Sequence, residues 1–129
     1  PASKFEKYGL VPALHSASSE IFHIKSTNLR LKEYYLPDWD LLPKIVSQLE
    51  LQELDRGYEL LLIKPYYSAL IEKIKNDVHS SVWKKAYALL TVLDLCHFPI
   101  RGLEQAETLF RKTELKNICS WSEIERAIR

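Results

Sequence analysis

Residues 65–95 read PYYSALIEKIKNDVHSSVWKKAYALLTVLDL, and this stretch decides the fold. Its first half carries apolar residues at i, i+3, i+4 and i+7, the spacing of one helical face: Tyr67, Leu70, Ile71 and Ile74. Pro65 suits the first turn of such a helix, because its missing N–H would have no intrahelical partner there. The pattern predicts a helix that begins near residue 65.

A second helix is predicted after the polar turn over residues 76–80. It begins at about Ser81 and ends before Pro99, which cannot continue a helix. Its expected buried stripe, widened by Trp83 and Tyr87, consists of Val82, Ala86, Leu89, Leu90 and Leu93. The two helices are expected to form an antiparallel pair over residues 65–95 at the centre of the molecule.

Further helices are predicted on both sides of this pair. One follows Asp40, with an apolar stripe of Leu41, Leu42, Ile45, Val46 and Leu49. The segment 51–64 also has helical spacing, as one helix or as two pieces that break at Gly57. A later helix carries Leu103, Ala106, Leu109 and Phe110, and Ser120 with Glu123 has the spacing of a capping box that opens a final short helix.

The N-terminal part is less regular. Residues 1–20 are expected to be weakly ordered, with at most a short helix over Lys4–Tyr8. Polar and apolar residues nearly alternate over residues 21–36, which predicts a small β-hairpin, although a helix over Asn28–Tyr35 also fits. The predicted fold class is all-α, a compact stack of five or six helices with a possible hairpin at its edge.

Size and composition favour one domain over residues 1–129, since 129 residues that are 47% hydrophobic can bury a core. The absence of a starting Met and of any internal Met suggests a fragment of a larger protein, although a processed chain would look the same. A net charge of +1 provides no overall electrostatic field that would attract nucleic acid or an anionic membrane, and no apolar run is long enough to span a bilayer.

Two cysteines do not make a disulfide framework, which favours a reducing compartment, nuclear or cytoplasmic.

The sequence shows no catalytic signature, cofactor motif or metal-ligand spacing. Cys96 and His97 are adjacent, so on a helix their side chains point about 100° apart and do not readily form a nucleophile–base pair. No enzyme activity, cofactor or metal is therefore expected, and Cys96 and Cys119 are interpreted as buried packing residues.

Basic residues gather at the bend of the central pair. An antiparallel arrangement would place Lys73, Lys75, Lys84 and Lys85 with His79 around one tip, called the basic tip. It could contact phosphates or an acidic peptide, whereas the simpler interpretation is that lysines complement a helix C-terminus. Adjacent tyrosines add candidate contacts, because one member of each pair is expected to face outward; Tyr66 and Tyr34 are the candidates.

The outline of residues 57–95 resembles three groups of helical domains. It is similar to the N-terminal domain of transcription elongation factor TFIIS in the order of its residues: Leu61 and Leu62, then Ile71, Ile74 and Lys75, a polar turn, and Val82, Ala86, Leu89 and Leu90. The same outline resembles paired armadillo or HEAT helices and the central helices of ENTH-type adaptors. It lacks the closing Trp of the TFIIS type near Val92 and the basic amphipathic helix with which ENTH-type domains bind lipids.

What these resemblances share is a helical scaffold that docks peptides or proteins. The leading hypothesis is accordingly a non-catalytic module that docks a partner helix or peptide in a larger nuclear or cytosolic assembly. The alternative is a nucleic-acid-binding domain that uses the basic tip.

Overall fold

The computed structural model describes residues 7–24, 32–52, 59–77, 80–99 and 101–128. In these ranges the chain is mostly helical and contains a small three-stranded sheet. In chain order the elements are β1 (Val11–Pro12), α1 (Leu14–Glu20), β2 (Lys32–Tyr35), α2 (Leu42–Gln48), β3 (Leu60–Ile63), α3 (Ser68–Asn76), α4 (Ser81–Cys96), α5 (Gly102–Lys112) and α6 (Trp121–Ala127). Short 3₁₀ segments, Trp39–Leu41 and Glu114–Asn117, precede α2 and α6. None of the helices in these ranges has the length and apolar composition that a membrane-spanning helix needs.

The sheet has the strand order β1-β2-β3 and lies between two apolar clusters. β2 pairs antiparallel with β1 and parallel with β3, so that Tyr35 is the register partner of both Val11 and Ile63. Successive side chains of a strand point to opposite faces. In β2, Tyr35 therefore joins the larger cluster and Tyr34 the smaller one, and both rings are buried.

The larger cluster joins α1, α3, α4, α5 and α6 on one face of the sheet, through side chains that include Leu14, Ile74, Val92, Leu109 and Ile124. The smaller cluster on the other face is built around Ile45 of α2 and Leu36. The prediction of a mainly helical stack with a small N-terminal β element is confirmed in this coarse form. The strands differ from the predicted hairpin over residues 21–36. Such a hairpin would pair β2 with residues that precede 26–28, whereas β2 pairs with β1 and β3.

The helix α1 lies in the part of the chain for which only a short helix over Lys4–Tyr8 was predicted. Most of α1 is buried, including His15, Ser16 and Ser18. The Ser16 backbone N–H donates to the Glu33 carboxylate at 3.2 Å, and Gln105 Nε2 donates to Ser18 Oγ at 2.7 Å. Buried polar groups need such partners, and here partners distant in the sequence allow a helix with few apolar residues to enter the core.

One predicted helix is a strand in the structure, and another begins a few residues later than predicted. Residues 60–63, which were assigned to a helix over 51–64, form β3, whose side chains alternate between the two clusters. A strand covered on both faces is apolar at every position and has the same local composition as a buried helix. The helix predicted from residue 65 begins at Ser68, and Tyr67 is its N-cap.

The buried face of α4 also differs from the predicted stripe. Val82 is 67% exposed and Leu89 is 37% exposed, whereas Tyr87, Thr91 and Val92 are buried. Thr91 Oγ1 donates to the Tyr87 carbonyl oxygen at 2.8 Å, which satisfies the hydroxyl within the helix. A prediction from apolar residues alone does not place Thr91 on the buried face. The predicted buried face of α4 is therefore rotated about the helix axis relative to the observed one.

The helix α4 lies at the centre of the fold, but it packs more extensively against α5 than against α3. Gly102 allows this packing, because a Cβ built on it would lie 2.0 Å from the Leu95 carbonyl oxygen. The helix pair expected from residues 65–95 is therefore a minor packing of α4, which packs more extensively against both α5 and α1 within these ranges.

Candidate functional site

A surface pocket of about 290 Å³ lies where the end of α1, the start of α4 and the end of α5 meet, and is called the α1–α4–α5 pocket. On α4 it is lined by residues at i, i+3, i+4 and i+7, which share one helical face: Ser81, Lys84, Lys85 and Ala88. The remaining lining comes from two short segments. Ile21, Phe22 and His23 follow α1, and Lys112, the last residue of α5, is followed by Thr113, Glu114 and Leu115.

The lining separates into an apolar and a basic part. Phe22 is half-buried and packs edge-on against Tyr87, with ring centroids 5.6 Å apart, while Ala88 and Leu115 are buried. Lys84, Lys112 and His23 are exposed. The pocket thus combines apolar walls with a basic rim.

The rim carries a positive charge. Three lysines and one glutamate line it, which leaves a formal charge of +2 with His23 neutral. Lys85 Nζ and Glu114 Oε2 are 3.3 Å apart and compensate each other. Lys84 and Lys112 form no ion pair with any residue in the described ranges, so they are the cations available to a ligand.

The four lysines of the predicted basic tip do not share one site. Lys84 and Lys85 line the pocket, whereas Lys73 forms an ion pair with Asp77 at 2.7 Å and lies 5.7 Å from the Trp83 ring centroid. Lys75 Nζ lies 3.6 Å from the position that a Cβ on Gly9 would occupy, outside the pocket lining. His79, the fifth residue of the tip, lies outside the described residues.

The two candidate tyrosines have opposite environments. Tyr66 is 92% exposed and packs edge-on against Tyr67, at 4.9 Å between ring centroids. Tyr34 is 2% exposed, and its hydroxyl donates to Glu20 Oε2 at 2.8 Å. The expectation that Tyr34 faces outward is wrong, because clusters cover both faces of the sheet and leave neither Tyr34 nor Tyr35 at the surface.

The two pocket segments outside α4 were missed by the sequence interpretation. No local pattern in the sequence marks Phe22, His23 or Lys112 as site residues. These residues approach Lys84 only through the packing of α1 and α5 on α4. The available local signal was the pair Lys84 and Lys85 at i+3 and i+4 from Ser81, which identifies only the α4 wall.

The described residues include two free thiols. Burial raises the pKa of both thiols, Cys96 and Cys119, and the Glu123 carboxylate raises that of Cys119 further. Both cysteines are free and half-buried, so they are held as thiols rather than as thiolates at neutral pH. No group of three or more His, Cys, Asp or Glu side chains that could hold a metal ion occurs within the described ranges.

Comparison of the chain with protein-family models, curated proteins and solved structures found no match. The resemblance of residues 57–95 to TFIIS-type, armadillo or HEAT and ENTH-type helices therefore stays a prediction. The α1–α4–α5 pocket itself is the basis for a functional proposal.

Proposed function

We propose that the chain is a non-catalytic interaction module that docks a partner peptide or helix within a larger intracellular assembly, nuclear or cytoplasmic. The observation that carries this proposal is the α1–α4–α5 pocket, a concave site with apolar walls formed by Phe22, Ala88 and Leu115. Interfaces commonly take up an apolar anchor side chain in such a pocket, with polar groups around it.

The size of the pocket favours a side chain over a whole cofactor. Small-molecule sites usually enclose about 300–1,000 Å³. At about 290 Å³ the pocket lies at the lower limit of that range, and its rim residues Lys84 and Lys112 are exposed. A segment of a partner can place one side chain inside and leave its backbone on the rim.

Selection of peptides from a random display library on the purified chain tests the proposal. Binding of selected peptides should be saturable, and in NMR titrations the largest amide shift changes should fall in residues 21–24, 80–88 and 112–115. A selection that yields no saturable peptide ligand, or ligands whose shift changes avoid these segments, would contradict it.

Nucleic-acid binding is a second candidate, supported by the convergence of Lys84, Lys85 and Lys112 on one rim. Two of the lysines in the predicted basic tip are already paired with carboxylates, Lys73 with Asp77 and Lys85 with Glu114, which favours the first candidate. The two candidate functions differ in how strongly the binding constant depends on salt concentration. The logarithm of an oligonucleotide binding constant falls with log salt by roughly 0.9 per phosphate neutralised on duplex DNA, or 0.7 on a single strand.

A further inference from the structure

The α1–α4–α5 pocket combines three features that bear on the chemistry of its ligand: an apolar wall, a rim with a net positive charge, and one glutamate on that rim, paired with Lys85. Phe22 precedes α4 in the sequence and Leu115 follows it, so the apolar wall is assembled only in the folded chain. The uncompensated lysines, Lys84 and Lys112, belong to α4 and α5 and thus stand on separate elements around this wall.

We propose that this pocket binds an acidic linear peptide, with one apolar side chain seated against Phe22, Ala88 and Leu115 and flanking carboxylates in contact with Lys84 and Lys112. The proposal rests on the proposed function and specifies the chemistry of the partner. Charge complementarity carries it, since two exposed lysines without an ion pair in the described ranges surround an apolar cavity.

Glu114 distinguishes a peptide from a nucleic-acid backbone. A phosphate backbone carries a charge at every step, so a strand lying across the rim would bring phosphates close to the Glu114 carboxylate as well as to the lysines. A peptide can present carboxylates to Lys84 and Lys112 and an uncharged residue to Glu114. Because Glu114 and Lys85 compensate each other, the uncompensated cations of the lining are Lys84 and Lys112, which two carboxylates of a peptide can match.

The rim contacts should set specificity and salt dependence more than affinity. Exposed ion pairs contribute about 0–1 kcal/mol each, so most of the binding free energy must come from the apolar side chain. Replacing that side chain in the peptide should therefore weaken binding strongly, and raising the ionic strength should weaken it moderately.

A set of short fluorescent peptides and two double variants of the chain test the proposal by anisotropy at low ionic strength. The first peptide has a central Leu flanked by Asp and Glu. Two others replace the Leu by Ser or the acidic residues by Lys, and a single-stranded oligonucleotide serves as the fourth probe. The pocket variant is Lys84→Glu with Lys112→Glu, and the control variant of equal net charge is Lys44→Glu with Lys64→Glu, at exposed positions outside the pocket lining.

The acidic Leu peptide should bind the unmodified chain, and the pocket variant should weaken it by at least about tenfold, with a change below about twofold in the control variant. The Ser and Lys peptides should bind at least about tenfold more weakly than the acidic Leu peptide. Circular dichroism verifies that both variants are folded. Equal weakening in both variants, or equal binding of the acidic and the Lys peptide, would overturn the proposal.

The failures of the two proposals are distinguishable. If the acidic peptide does not bind but a display-selected peptide of another composition binds in the pocket, the acidic partner is wrong and the interaction module stands. If no peptide binds and the oligonucleotide alone binds in a manner that depends on Lys84 and Lys112, both proposals are wrong and the nucleic-acid candidate is favoured.

Discussion

Tyr35 in β2 donates a hydrogen bond from its hydroxyl to the carboxylate of Asp94 in α4. A second tyrosine acts in the same way, since the Tyr87 hydroxyl of α4 donates to the carbonyl oxygen of Pro12 in β1. Burial raises the pKa of both tyrosines, so both hydroxyls stay protonated and remain donors over the whole physiological range. These two bonds fix the orientation of α4 on the sheet.

Replacing Tyr35 by Phe should lower the free energy of unfolding by about 1–2 kcal/mol, because the partly buried Asp94 carboxylate loses its donor. Chemical denaturation measures the change. The matched control is Tyr66→Phe, at a 92% exposed ring, for which a change within about 0.5 kcal/mol is expected. Equal effects of the two substitutions would show that the Tyr35 hydroxyl contributes nothing to stability.

Asp94 should make stability depend on pH. Burial raises the pKa of this carboxyl above 3.8, although the Tyr35 hydrogen bond and His97 lower it in part. The folded chain therefore binds more protons than the unfolded chain between the unfolded and the folded pKa. Stability from this group is fully present below the unfolded pKa and is lost as the pH rises through the folded pKa.

The variant Asp94→Asn keeps an acceptor for Tyr35 and removes the titration. Relative to this variant, the unmodified chain should lose unfolding free energy as the pH rises from the unfolded pKa of Asp94 through its raised folded pKa. Denaturation curves at a series of pH values measure the difference. Parallel pH profiles of the two proteins would contradict the assignment to Asp94.

The buried face of α4 predicts that replacing Val by Ala lowers the free energy of unfolding at one position of this helix and not at another. Val92 is fully buried and Val82 is 67% exposed. Val92→Ala should cost about 1.5–3 kcal/mol, from the lost methyl groups and the cavity left behind, whereas Val82→Ala should change stability by less than about 0.5 kcal/mol. Urea denaturation of the two variants is the measurement, and a larger effect at Val82 would restore the face that the sequence predicts.

That difference illustrates how far local patterns determine this fold. Helical spacing locates α2 to α6 to within a few residues, and the Ser120–Glu123 spacing predicts the capping box that opens α6. Such features depend on residues within one or two turns. The sequence alone therefore determines where these helices are, though not which side of α4 is buried.

The remainder depends on contacts between distant segments. α1 can be buried because Glu33 and Gln105, which are distant in the sequence, provide hydrogen-bond partners for polar groups of this helix. β3 is apolar at every position because α2 covers one face of the sheet and the larger cluster the other. The pocket is likewise formed by segments from α1, α4 and α5, so only its α4 wall could be located from the sequence.

Gly102 should not tolerate a side chain. A Cβ at this position would lie 2.0 Å from the Leu95 carbonyl oxygen and 2.9 Å from Phe98 Cβ. The start of α5 would have to move away from α4, so Gly102→Ala should cost at least about 2 kcal/mol despite the better helix propensity of Ala. Leu103→Ala is the control, since Leu103 is 53% exposed and a change of less than about 1 kcal/mol is expected. A stabilised Gly102→Ala protein would contradict the close approach of the two helices.

Ser120 should stabilise α6 through the capping box. Its Oγ accepts from the Glu123 backbone N–H at 3.2 Å, and its own backbone N–H donates to Glu123 Oε1 at 2.9 Å. Ser120→Ala should cost about 1 kcal/mol. The loss should be visible as faster amide hydrogen exchange at Ile124 and Ile128, whose N–H groups bond within this helix. Ser122→Ala, at an exposed position of the same helix, should leave exchange nearly unchanged.

The capping box also has a predicted pH dependence. Hydrogen bonds from the Ser120 backbone and side chain lower the pKa of Glu123, and a depressed carboxyl pKa stabilises the fold above the unfolded pKa. That stabilisation is lost as the pH falls through the folded pKa of Glu123. Exchange at Ile124 should therefore accelerate in acid, beyond its intrinsic pH dependence, in the unmodified chain and less so in Ser120→Ala. The same pH dependence in both proteins would mean that the Ser120 hydroxyl does not act on Glu123.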